Sequence, residues 1–168
     1  MSIVALARDA GDGPGAPMPR TGDDPGTALV DAVEVRLTGV DALADPRDAA
    51  CAMLAVADDV LVDWAAFRGD TPTQATREGF RLLALHRQGA QDLPSFNACR
   101  ETCREIVYHF NLLRPADPGD ALPAEDAART RVMMGLLVRH LALFVGGKMR
   151  SARVGEFCCA SRPIRQDD

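Results

Sequence analysis

Residues 129–146, RTRVMMGLLVRHLALFVG, decide how the rest of the chain must be arranged. Only Arg129, Thr130, Arg131, Arg139 and His140 interrupt the Leu, Val, Met and Phe. A helix that is apolar on nearly every side belongs in the middle of a core or in a bilayer. A spanning helix needs roughly 20 mostly apolar residues. Here the run from Val132 to Val145 is broken by Arg139-His140, and an arginine near the bilayer centre is costly. The expected place is therefore the middle of a helical bundle. Arg139 must then reach water or a carboxylate, with Asp58, Asp63, Glu101 and Glu105 as candidates.

Outward from this segment, the flanking stretches supply the partners it needs. Asp45-Pro46 is a helix start, an N-cap acid followed by proline at the first helical position. Ala50, Met53, Leu54, Ala57, Val60, Leu61, Trp64 and Phe67 then recur in steps of three and four, as one face of a helix ending at Gly69. Thr71-Pro72 repeats the start signal, and predicts a helix to Gln88 with Phe80, Leu82, Leu83 and Leu85 inward and Gly89 as its stop. His86 falls near its C-terminus, where a protonated ring suits the helix dipole. The next helix is expected from Ser95, capped by Ser95 or Asp92, to Arg114. Its stripe is Phe96, Cys99, Cys103, Ile106, Val107, Phe110 and Leu113. Tyr108 and Leu112 carry apolar surface round to its polar side, which predicts a second contact. The last helix starts at Pro123, with Glu125 and Asp126 in its first turn, and is expected to stop at Gly146-Gly147.

The leading element, residues 29–44, is the most ambiguous. Leu29, Val30, Val33, Leu37 and Val40 follow helical spacing, with Thr27 as N-cap and Gly39 weakening the end. Val33 to Leu37 alternates as a strand would, but a lone strand has no partner. Residues 1–27 are rich in Gly, Pro and Asp without period, and are expected to form a disordered arm. Residues 148–168 form a basic C-terminal tail, with five basic residues and one acid between Lys148 and Arg165.

Composition agrees with a single helical domain. The chain has 168 residues, 47% hydrophobic and 26% charged, and only 5% aromatic. That balance favours helix over sheet. The expectation is an all-α single-domain antiparallel helix bundle over residues 28–147: four main helices and a short leading one. A net charge of −5 argues against a general nucleic-acid binder, which must neutralise phosphates. Five cysteines, an odd number, and no export signal at MSIVALARDAGDG point to a reducing, bacterial-type cytoplasm.

The pattern closest to chemistry is Cys99-x3-Cys103 with His109 six residues on, and Cys158-Cys159 in the tail. Two cysteines one turn apart share a helix face and can supply two ligands to zinc or another thiophilic metal, or act as a redox pair. His109 lies on the helix flank, so it does not complete a metal site unaided. Against this, both cysteines coincide with the apolar stripe, where free Cys behaves as a small hydrophobe. No phosphate-binding glycine loop, nucleophile elbow or di-iron carboxylate motif occurs, so no catalytic constellation is found. The helix from Ser95 alternates Arg with Glu and lacks the basic face a DNA-reading helix needs.

The leading functional expectation is a non-enzymatic interaction or regulatory protein that associates with itself or another protein. Tyr108, Leu112 and Arg139 are its interface candidates, with neither membrane nor nucleic acid as partner. The first alternative is a thiol-based metal or redox site at Cys99 and Cys103. The second is a small-molecule pocket lined by Met133, Met134, Trp64 and Phe144.

Overall fold

The computed structural model describes residues 24–90 and 98–154. Residues 1–23 of the expected arm 1–27, the Ser95 or Asp92 cap and the Cys158-Cys159 pair lie outside the described residues; Pro25 to Thr27 of that arm instead form the first turn of a helix, because Asp24 caps it. Five α-helices and no strand occur among the described residues: α1 (Pro25–Asp41), α2 (Pro46–Phe67), α3 (Arg81–Gly89), α4 (Ala98–Leu113) and α5 (Ala124–Val154). This is an all-α bundle, in which α5 packs against α1, α2 and α4. The short member is the 9-residue α3, and the leading helix is a full partner.

The helix starts follow local chemistry. The Asp45 carboxylate accepts from the Arg47 amide at 2.7 Å ahead of Pro46. The Asp24 carboxylate accepts from the Thr27 amide at 2.9 Å ahead of Pro25. Asp24, not Thr27, is thus the cap of α1, and the same Asp-Pro start is used twice. Leu29, Val33, Leu37 and Val40 are buried on α1, and Met53, Val56, Val60, Leu61 and Trp64 on α2. The helical reading of the leading segment is the correct one, because steps of three and four close an inward stripe while Val35 points to solvent.

Thr71-Pro72 does not start a helix. Residues 71–80 form an irregular strap whose polar backbone groups are met from α3. Gln88 accepts from the Thr73 amide at 2.9 Å and donates to the Thr71 carbonyl at 2.8 Å. Arg81 donates to the Thr73 carbonyl at 2.9 Å. Glu78 and Gly79 both take positive φ, 53° and 83°, in the turn where Arg77 and Phe80 exchange amide–carbonyl bonds of 3.0 Å. Two successive left-handed residues cannot continue a right-handed helix, so α3 begins only at Arg81.

Gly146-Gly147 does not end α5, which continues to Val154. The first seven residues of the expected tail, 148–154, are therefore helix. Gly146 stays helical because it is needed for close approach: a β-carbon there would stand 2.6 Å from the Gly26 carbonyl oxygen of α1. The same contact shows that α1 and α5 are antiparallel. At the other end Arg131 of α5 donates to the carbonyls of Val40, Asp41 and Leu43, at 2.8, 2.9 and 2.7 Å. The Val40 carbonyl also accepts from the Leu43 amide at 2.9 Å, so the guanidinium adds to the backbone bonds there and ties the end of α1 and the turn after it to α5.

Arg139 reaches neither Asp58, Asp63, Glu101 nor Glu105. It pairs with Glu34 of α1 at 3.0 Å, and Asp41 stands 3.8 Å away. The α1–α5 crossing brings these acids alongside, a proximity set by packing and not by spacing. By length and composition, Ala124–Ser151 is apolar enough to cross a membrane, and 56% of its most apolar window is buried inside the fold. Met134, Val138, Leu141, Ala142 and Val145 fill the core from this helix.

Candidate functional site

Two features of the bundle carry chemical or recognition potential. The first lies where α3 meets α4. Cys99 sits in the first turn of α4 and Cys103 one turn later, both buried, with His86 of the last turn of α3 buried beside them. Cys103 and His86 are the side chains within hydrogen-bonding reach of the Cys99 thiol. The bond from Cys103 lowers the Cys99 thiol to about 6; burial opposes this, and the His86 bond and charge assist it. The same bond holds the Cys103 thiol well above its ordinary range, reinforced by burial and by the charges of Cys99 and Asp58. The two thiols thus take unequal roles, one poised to ionise and one held protonated.

Asp58 of α2 stands near enough for its charge to act on Cys103. Burial raises its carboxyl to about 6, with Arg81 pulling it down and Asp59 pushing it up. Its Oδ1 is buried without a hydrogen-bond partner among the described residues.

A cleft of about 230 Å³ opens beside His86, lined by Arg77, Leu83, His86, Arg87, Arg100 and Arg104 among others. Arg100 and Arg104 each follow a cysteine of the pair, so the cleft lies against the turn that carries the thiols. Glu78 offsets part of the charge, 3.7 Å from Arg77 and 3.3 Å from Arg104, and Glu101 stands 3.9 Å from Arg100.

His109 does not join Cys99 and Cys103. It lies on the flank of α4, 3.9 Å from Glu105, with its ring edge-on to Tyr108. Its Nδ1 is buried and has no hydrogen-bond partner among the described residues. No group of three or more His, Cys, Asp or Glu among the described residues could hold a metal ion. Cys99 instead has Cys103 and His86 as its neighbours of consequence. His86 was missed because its position near a helix end has a sufficient local explanation. The available signal was its place three residues after Leu83, on the buried face of α3.

The second feature is the face of α5 turned away from the bundle. Val132, Met133, Leu136 and Leu143 are 63%, 47%, 53% and 55% exposed. A concentration of large apolar side chains on one open helix face is unusual for a surface with no partner. The sequence-derived interface residues fall in separate surroundings. Arg139 is engaged by α1. Leu112 lines a small cleft with Pro46, Leu113, Leu122 and Ala127. Tyr108 is exposed on α4. Met133 is exposed while Met134 and Trp64 are core residues, so the expected small-molecule pocket is not formed by its four residues together.

Comparison with known proteins finds no matching family model, no matching curated protein and no matching solved structure.

Proposed function

We propose that this chain is a non-enzymatic interaction protein that pairs with a second copy of itself along α5. The observation that carries this reading is the apolar stripe left open on that helix. Val132, Leu136 and Leu143 are separated by four and seven residues, which keeps them on one line of a helix. Glu125 extends the line by seven residues at one end and Arg150 by seven at the other.

This arrangement suits a two-fold contact. In an antiparallel pairing centred between Leu137 and Val138, Val132 lies opposite Leu143 of the second copy, and Glu125 lies opposite its Arg150. One patch then meets itself with Val132 facing Leu143, with Arg139, which lies on the same line, facing Leu136 of the second copy, and with opposite charges at the ends. Glu125 and Arg150 are both exposed, and each has an ion-pair partner in its own chain, Arg129 for Glu125 and Asp24 for Arg150, so a pairing at the rim exchanges one partner for another.

Size-exclusion chromatography with light scattering tests the reading. The wild-type chain is expected to run as a dimer that dissociates on dilution. Leu136→Asp combined with Leu143→Asp is expected to be a monomer with unchanged helicity by circular dichroism. A wild-type chain that stays monomeric at the highest concentration reached, or a double variant that still dimerises, overturns it.

A further inference from the structure

The α3–α4 junction carries an inference independent of self-association. Three buried groups meet there from two helices: Cys99, Cys103 and His86. His86 also lines the arginine cleft together with Arg100 and Arg104, the residues that follow Cys99 and Cys103 in the chain, so the cleft adjoins the buried pair. Cys51 provides a contrast within the same chain. It is half-buried on α2 and its sulfur accepts from Arg114.

We propose that Cys99 and Cys103 are a peroxide-oxidisable dithiol, with Cys99 as the attacking thiolate, Cys103 as the resolving thiol and the His86 cleft as the way in. The co-reactant is a small hydroperoxide, R–O–O–H, including hydrogen peroxide. The Cys99 sulfur attacks the terminal oxygen and the O–O bond breaks. The departing RO⁻ takes up the proton that the Cys99 thiol had released, which gives ROH and a sulfenic acid at Cys99. The Cys103 sulfur then attacks the Cys99 sulfur and the S–O bond breaks. Hydroxide leaves with the Cys103 proton as water, and a Cys99–Cys103 disulfide remains. Two thiols and one hydroperoxide thus become one disulfide, one ROH and one water.

The position of the pair in α4 gives the step a structural consequence. Residues one turn apart on a helix have β-carbons about 5–6 Å apart, and a disulfide needs roughly 3.5–4.5 Å. Cys99 is the second residue of α4, so closing the bond draws in the first turn alone. Oxidation therefore loosens the start of α4 and leaves its remaining turns seated on α2 and α5. The groups that set the Cys99 thiolate are Cys103 of the same helix and His86 of α3, while the Asp58 charge of α2 acts on Cys103; the nearby arginines of the cleft are Arg77, Arg87, Arg100 and Arg104.

Trypsin reads the outcome directly, because Arg100 lies between the two cysteines. In reduced protein, cleavage after Arg100 separates Cys99 from Cys103. In the full chain treated with hydrogen peroxide, alkylated and digested, the two peptides are expected to stay joined, and to part on reduction. Cys103→Ser is expected to leave a sulfenic acid at Cys99 that dimedone captures. His86→Asn is expected to slow Cys99 oxidation about tenfold near pH 7, with the deficit closing as pH approaches the ordinary thiol range. Ultraviolet absorbance of the wild-type thiolate gives a readout that needs no variant, with one thiol ionising well below the others. Oxidation of Cys51 ahead of a still-separable Cys99 and Cys103 overturns the proposal. So does the absence of a Cys99 thiolate below the ordinary range, or a folded His86→Asn protein oxidised at the wild-type rate near pH 7.

Discussion

Gly26 of α1 and Gly146 of α5 meet backbone to backbone, so closely that a β-carbon on Gly26 would stand 2.1 Å from the Gly146 carbonyl oxygen. Neither helix can relieve that clash by rotating a side chain, because the obstacle is main chain. Gly26→Ala and Gly146→Ala are therefore each expected to destabilise the fold by about 2–4 kcal/mol, at or above the usual cost of overpacking. Thermal melts should fall by roughly 4–16 °C. Gly39→Ala is the control. A β-carbon there meets nothing within 4 Å, and the change should stabilise α1 by about 0.5–1 kcal/mol. Equal melting temperatures for Gly146→Ala and Gly39→Ala would count against the close crossing.

Arg131 closes the opposite end of the same helix pair. Arg131→Ala removes a donor from the Val40, Asp41 and Leu43 carbonyls, of which Val40 keeps the Leu43 amide, and is expected to cost about 1–3 kcal/mol in denaturant unfolding. Arg131→Lys should recover only part of this, since an ammonium lacks the planar fork that spans neighbouring carbonyls. Faster hydrogen exchange confined to the last turn of α1 would identify the lost cap as the cause.

Asp58 makes stability depend on pH. Its carboxyl is raised by burial from 3.8 to about 6, so between those values the folded chain binds more protons than the unfolded one. Stability contributed by this group is full below about pH 4, declines as pH rises through 6, and stays lower above. Asp63, raised by burial and by Asp59, acts in the same direction. Asp58→Asn should raise stability near pH 7 by about 1 kcal/mol, a value reduced for the solvent that still reaches the group, and leave it unchanged near pH 4. Melting curves of both proteins across that range check the sign.

Charge reversal tests the proposed register of α5 against α5. Glu125→Arg or Arg150→Glu alone should weaken dimerisation several-fold, because each places like charges opposite one another. The double variant should restore much of it. Arg150 also lies 3.9 Å from Asp24 within one chain, so monomer melting curves must accompany the dissociation constants. Additive loss in the double variant would place the contact in another register.

Much of the bundle was legible before any coordinates. The Asp45-Pro46 start, the inward stripes of α2 and α4 and the central role of residues 129–146 all follow from spacings within a few turns, which are local properties of the chain. Where local chemistry has two outcomes, packing chose. Thr71-Pro72 resembles a helix start, yet the Glu78-Gly79 turn and the Gln88 bonds make it a strap. Gly146-Gly147 resembles a stop, yet contact with Gly26 makes Gly146 a crossing point.

The thiol site and the α5 stripe divide along the same line. The Cys99–Cys103 pairing is written in helical periodicity, because residues one turn apart share a face whatever surrounds them. That His86 joins them, and His109 does not, depends on how α3 lies against α4. That Arg139 finds Glu34 depends on the α1–α5 crossing. The apolar surplus of residues 129–146 was likewise plain from composition. Only the positions of α1, α2 and α4 determine which of its sides is covered and which remains open, since long-range contacts depend on how rigid helices cross and not on the order of residues within any one of them.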